Sequence, residues 1–124
     1  MEILTHCNIN IKISYIEKIV ARNQRCEIYF RDIDDIDYLL EFDFVWDFRS
    51  CIENALIERC SKFIHEERID SDVLIVKKSE YIEYFATQVS GTRPLDNLNE
   101  YLIFDSVDTV VEVLTNREPI LIKL

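Results

Sequence analysis

Twenty-four carboxylates, four cysteines and two histidines are the residues of this 124-residue chain with chemistry to offer. The densest acidic run, Asp32, Asp34, Asp35 and Asp37, superficially resembles a calcium loop. Such a loop needs a Gly at its sharp turn and a bidentate Glu at its twelfth position, and the twelfth residue from Asp32 is Asp43. His6 beside Cys7, and His65 after Cys60, match no zinc spacing. A Cys–His nucleophile would need a local context that surrounds none of these residues. Paired carboxylates would suit acid–base hydrolysis, but with so many available no pair is singled out by a neighbour that would shift it. Gly91 is the only glycine, which excludes the phosphate-cradling loops and dinucleotide fingerprints that need several. The chain is therefore expected not to be an enzyme and to hold no cofactor or metal.

One stretch combines two properties. From Asp32 to Phe48 the chain carries Asp32, Asp34, Asp35, Asp37, Glu41, Asp43 and Asp47 without a Lys or Arg, while Phe42, Phe44, Trp46 and Phe48 alternate with other residues. Like charges this close repel, and they stabilise a fold only when something outside neutralises them. A cationic partner would do so, with carboxylates guiding the encounter and Tyr38 or Trp46 as aromatic anchors. The candidate partner-binding residues are thus Asp32, Asp34, Asp35, Asp37, Tyr38, Glu41, Asp43, Trp46 and Asp47. The competing explanation is structural: aspartates favoured by the dipole in the first turns of a helix, followed by a core aromatic strand.

Composition narrows the partner. A net charge of −10 and a pI near 4.6 disfavour nucleic acid and a membrane surface, both of which call for clustered Lys and Arg. The first residues lack the basic and apolar regions of a signal peptide, and no run approaches the roughly 18 to 20 apolar residues of a membrane span, so a cytoplasmic location is expected. The length suits one domain over residues 1–124. Free thiols are expected in a chain of this size, which needs no disulfide staples.

The elements that would position these residues alternate between periods. Asn8–Ile13 and Cys26–Arg31 have the period-two pattern of strands. Between them Ser14 and Glu17 stand at capping-box spacing, predicting a helix from Tyr15 to about Gln24, with a hairpin turning at Asn23-Gln24 as the competitor. Ile33, Ile36, Leu39 and Leu40 predict a helix through the aspartates, and Phe42–Phe48 a strand with its aromatics on one face. Ser50–Glu66 has the clearest helical stripe, which would put Cys51 and Cys60 on opposite faces. Val73–Val76 is a buried strand, Ser79 caps a helix carrying Tyr81, Phe85 and Val89, and Gly91 suits its end. Thr92–Asn99 is a loop. Tyr101–Phe104, a helix through Val107, Val110, Val111 and Leu114, and Ile120–Leu124 complete the chain. The sum is an α/β fold, α+β being the alternative: a mixed central sheet with packed helices and a C-terminal β-α-β-α-β run.

A small, acidic, glycine-poor domain built around DIDDIDYLLEFDFVWDF resembles the immunity proteins of bacterial polymorphic toxin and contact-dependent growth inhibition systems. That resemblance implies a protein that binds a cognate toxin domain, commonly a basic nuclease, and blocks its active site. It transfers no residue role, because those families differ in sequence and fold. An acidic adaptor, an antitoxin-like regulator and a nucleic-acid mimic share the composition, and a small carboxylate-dependent enzyme is the alternative from another class. The oligomeric state is left open.

Overall fold

Strands rich in Ile, Val, Tyr and Phe pair antiparallel through most of this chain, and they leave it two sheets. A computed structural model describes residues 1–52, 59, 61–65, 69–89 and 97–124. Among these lie strands β1 (Ile3–His6), β2 (Ile13–Arg22), β3 (Arg25–Asp32), β4 (Asp37–Phe42) and β5 (Val45–Ile52). They are followed by β6 (Ile64–His65), β7 (Val73–Lys77), helix α1 (Glu80–Gln88), β8 (Asn99–Phe104), β9 (Thr109–Thr115) and β10 (Ile120–Lys123). One sheet has the order β5-β9-β8-β7-β1-β6 and the other β10-β4-β3-β2. Every pairing is antiparallel except β1 with β6. Among the described residues no helix is long and apolar enough to cross a membrane.

Side-chain alternation sorts the six-stranded sheet into two faces. Val73, Tyr101, Ile103, Val111 and Val113 point to one side, where they pack with Ile13, Ile28, Phe30, Leu40 and Phe42 of the four-stranded sheet. Phe42 and Tyr101 meet edge to face across this layer at 5.4 Å. Leu4, Leu74, Val76, Leu102 and Val110 point to the other side and pack with Phe63. Helix α1 lies over that side, its Phe85 meeting Trp46 of β5 at 6.1 Å. Burying side chains of this size contributes about 1.5 to 3 kcal/mol each, which makes the two apolar layers the main source of stability.

The architecture is therefore β-rich, and the α/β reading with packed helices is wrong. Its clearest error is Val107–Leu114, where β9 takes the place of a helix. Val107, Val110, Val111 and Leu114 do fall at helical intervals. Yet β9 lies between β5 and β8 with both faces covered, so its apolar residues need not alternate. Asp105 does gather N–H groups there, those of Val107, Asp108 and Thr109, but around a tight turn between strands.

Tyr15–Gln24 is likewise β2, turned at Asn23 and Gln24, whose φ angles of 54° and 61° are those of a two-residue hairpin. The competing hairpin was the correct one. Asn8–Lys12 is not a strand and Ile13 opens β2, with Ile9 and Ile13 both buried. Phe42–Phe48 is broken at Phe44, φ 52°, so Phe42 is buried while Phe44 and Phe48 face solvent. Ser50, Cys51 and Ile52 belong to β5 and Ile64 to β6, while Arg59 and Ser61 are helical; the remainder of the expected Ser50–Glu66 helix lies largely outside the described residues. Gly91 and most of the Thr92–Asn99 loop lie outside them too. β3, β7, β8 and β10 fall where their patterns put them, and Ser79 caps α1 by accepting from Ile82 N.

Candidate functional site

The acidic stretch folds as the end of β3, a turn, β4 and the start of β5, so its carboxylates separate into distinct environments. Asp32 is buried, and its Oδ1 accepts from the backbone N–H groups of Asp34 and Ile36, both at 2.9 Å. It shapes the turn and also lines a recess beside it. Asp34 and Asp35 stand at the exposed tip beside Ile33, with Asp35 in the left-handed region at φ 62°. Asp37 pairs with Arg31 at 3.0 Å, and Arg25 pairs with both Glu41 and Asp43. These arginines come from β3, so the neighbouring strand supplies the cations that Asp32–Phe48 lacks.

The aromatic anchors also divide. Tyr38 stacks on Phe30 at 5.6 Å and is half-buried. Trp46 is half-buried against α1, which makes it a packing residue. Asp47 accepts from the Tyr81 hydroxyl at 2.7 Å. The structure thus sets Asp34 and Tyr38 beside one surface recess with Asp35 at the exposed tip, bonds Asp32 into the turn, packs Trp46 on α1, and leaves Asp47 exposed with its carboxylate on Tyr81.

A second carboxylate group escaped the sequence reading altogether. Glu2, Glu100 and Glu112 project from β1's N-terminal end, β8 and β9 on the helix side of the six-stranded sheet, all buried. Arg59 joins them: its Nε and Nη2 reach Glu2 at 2.8 and 2.7 Å, its Nη2 reaches Glu100 at 2.9 Å, and its Nη1 contacts Glu112. Arg49, cross-strand from Glu112, grips the same carboxylate and lies 3.8 Å above the Tyr81 ring. Ser79 Oγ donates to Glu100 at 2.6 Å, and Glu80 N–H donates to Glu2 at 3.0 Å. The N-terminus of α1 is thereby fastened to the sheet through two of the three glutamates.

Charge balance explains how so many ionisable groups stay inside. Three carboxylates face two guanidiniums, and one proton removes the remaining negative charge. Burial pushes Glu100 up to about 8, helped by its hydrogen bond to Glu112, so Glu100 carries that proton at neutral pH. Glu112 moves the other way, below the ordinary range, because Arg49, Glu100 and Arg59 outweigh its burial. Glu2 is also lowered, by Arg59 and the Glu80 N–H against desolvation. Burial opposes the charge of Arg59, but its carboxylate partners raise its pKa further above the ordinary value.

Among the described residues no buried side-chain polar atom lacks a hydrogen-bond partner, and no group of His, Cys, Asp and Glu is arranged to hold a metal. Cys7, Cys26 and Cys51 are free thiols, with Cys26 pushed up to about 11 by burial. The one sequence signal for the glutamate cluster was an isolated acid in an apolar run, Glu112 in Val-Val-Glu-Val-Leu. On a strand covered on both faces, that acid has to find a buried cation. No family model, curated protein or solved structure matches this chain.

Proposed function

We propose that this chain is an acidic immunity-type protein, which binds a basic protein domain such as a toxin nuclease and obstructs its active site. Its contact surface is the β3–β4 tip. Support comes first from where the charge lies: the buried cluster accounts for one of the ten excess negative charges, so nine belong to the rest of the chain. Charges outside the core steer encounter and orientation.

The observation that carries the proposal is a recess of about 400 Å³ beside the tip. Ile33, Tyr38 and Leu121 give it an apolar wall, Asp34 and Asp70 give it carboxylates, and Lys12, which also lines it, is drawn towards Asp72 at 3.6 Å. An arginine or lysine side chain matches such a surface, with its stem along the apolar wall and its charged head among the aspartates. The projecting Asp34 and Asp35 of the tip also suit insertion into a groove built to bind phosphate.

The internal glutamates bear on the enzyme alternative. Paired carboxylates with separated pKa values are a hallmark of acid–base sites, but every oxygen of Glu2, Glu100 and Glu112 is already bonded to Arg49, Arg59, Ser79, Glu80 or a fellow carboxyl. That saturation favours a structural role for them and leaves binding at the surface.

The test is a pull-down from the native host followed by association kinetics at two salt concentrations. Asp34→Lys with Asp35→Lys is expected to slow association at least tenfold and flatten its salt dependence, with circular dichroism unchanged. Tyr38→Ala should act mainly on dissociation. Unchanged association and salt slope in the double reversal would rule out the tip as the contact.

A further inference from the structure

The two sheets have four outer edges, and three carry a feature that discourages pairing with a foreign strand. β2 has register shifts at Ile13/Tyr15 and Ile16/Lys18 and exposes Glu17 and Lys18. β5 has a shift between Val45 and Asp47 and exposes Asp47 and Arg49. β6 offers two residues. β10 is different: it pairs with β4 in unbroken register, carries one charge, and exposes Ile120 at 55% and Ile122 at 38%, with Leu124 at 65% just beyond.

The phase of this edge is fixed. Leu124 N–H donates to Asp37 O at 3.0 Å, so Leu124, Ile122 and Ile120 turn their backbone groups towards β4. The N–H and C=O groups of Leu121 and Lys123 then point outward, and among the described residues no strand receives them. The Pro119 carbonyl is taken by Asn8 Nδ2 at 2.9 Å, which closes one end of the edge.

We infer that the occupant is a second copy of this chain, with β10 pairing antiparallel to β10 about a two-fold axis through Ile122. Leu121 of each copy then exchanges both backbone bonds with Lys123 of the other, and Ile122 faces its own counterpart. Ile120 falls opposite Leu124 on the same face, so all three exposed aliphatic residues of each copy find apolar neighbours. Tyr29, Leu39 and Ile122, already aligned across β3, β4 and β10, continue across the axis into the same row reversed.

Neighbouring registers are poorer. One sets Lys123 against Lys123, and the other sets Lys123 against Pro119, which has no N–H and whose carbonyl is occupied. The flanking charges are paired within each copy, Arg25 with Glu41 and Arg31 with Asp37, so the overall negative charge is not concentrated at this edge. A pair of short strands buries well under the roughly 800 Å² per partner of a stable complex, so the dimer is weak and reversible.

Sedimentation velocity on the full chain from about 5 to 500 μM should show one-chain mass giving way to two-chain mass, with a Kd of tens to hundreds of micromolar. Lys123→Pro removes an outward donor and no bond to β4, and should weaken the dimer at least tenfold while circular dichroism stays unchanged. Ile122→Asp should do the same through like charges at the axis. Ile122→Cys should cross-link two copies on mild oxidation, since directly opposed residues of this type lie about 4.5 Å apart at Cα. Ile120→Cys alone should not. One-chain mass throughout, a dimer indifferent to Lys123→Pro, or equal cross-linking at both positions would overturn the inference.

Discussion

Two groups of carboxylates sit in this protein under opposite rules. Glu2, Glu100 and Glu112 are buried, share two arginines and a proton, and hold strands and a helix together. Asp34 and Asp35 stand at a turn tip where, among the described residues, neither makes an ion pair, and water solvates them. The same functional group is thus structural in one place and available in the other. Acid density along a sequence does not distinguish the two, because the deciding quantity is whether a cation is brought to the acid by the fold. β3 brings Arg25 and Arg31 to the acidic stretch and reaches neither tip residue.

The largest break in this comparison is at Arg59. Arg59→Ala leaves Glu2 with no cation in the interior and Glu112 with Arg49 alone, and leaving buried charge uncompensated costs about 3 to 5 kcal/mol. Urea denaturation should show that loss, or a chain that no longer folds cooperatively, whereas the Asp34 and Asp35 reversals leave the midpoint in place.

Titration separates the groups next. Glu100 has a folded-state pKa of about 8, above its ordinary 4.5, so its contribution is complete below pH 4.5 and is lost as pH rises through 8. Stability should fall across that window by an amount on the order of a few kcal/mol. Glu100→Gln, which imitates the protonated acid, should flatten the alkaline fall. Glu2 and Glu112 are lowered, so their contribution is present above pH 4.5 and lost on acidification below it. Thermal unfolding from pH 3 to 9.5 would record both limbs, and an alkaline limb unchanged in Glu100→Gln would remove the shared-proton account.

Asp32 sharpens the comparison within the acidic stretch. Asp32→Ala deprives two backbone N–H groups of their acceptor and should cost about 1 to 2 kcal/mol in chemical denaturation. The smallest effect is expected next door: Asp34→Ala should stay within about 0.5 kcal/mol of the parent protein.

How much of this was legible depends on burial. Cys26–Arg31 alternates because β3 has one face in the core and one towards solvent, and its pattern identified it. Thr109–Thr115 is covered on both faces, lost its alternation, and imitated a helix. Ser14 and Glu17 have capping-box spacing by coincidence, since β2 needs a polar face of its own. Ser79 was readable because its cap bond depends on the next three residues alone. For the site, Asp34, Asp35 and Tyr38 were visible as an acidic aromatic surface. Arg25 and Arg31 were overlooked because their pairing with it depends on strand register, which composition does not encode. The glutamate cluster needs residues 2, 59, 100 and 112 in one place, and no local window contains them.

Strand order also carries a consequence for how the chain acquires its shape. The β2–β3 hairpin closes around Asn23-Gln24 and β4 adds to it within a few residues, so this unit assembles from nearby sequence. The six-stranded sheet does not: β5 waits for β9 some sixty residues later, and β1 docks between β6 and β7 from a similar distance. Closing long loops before contacts reward them slows folding. During synthesis the hairpin unit therefore forms with its β4 flank unsatisfied until residues 120–123 arrive, and an unpaired strand edge in that interval is open to mispairing.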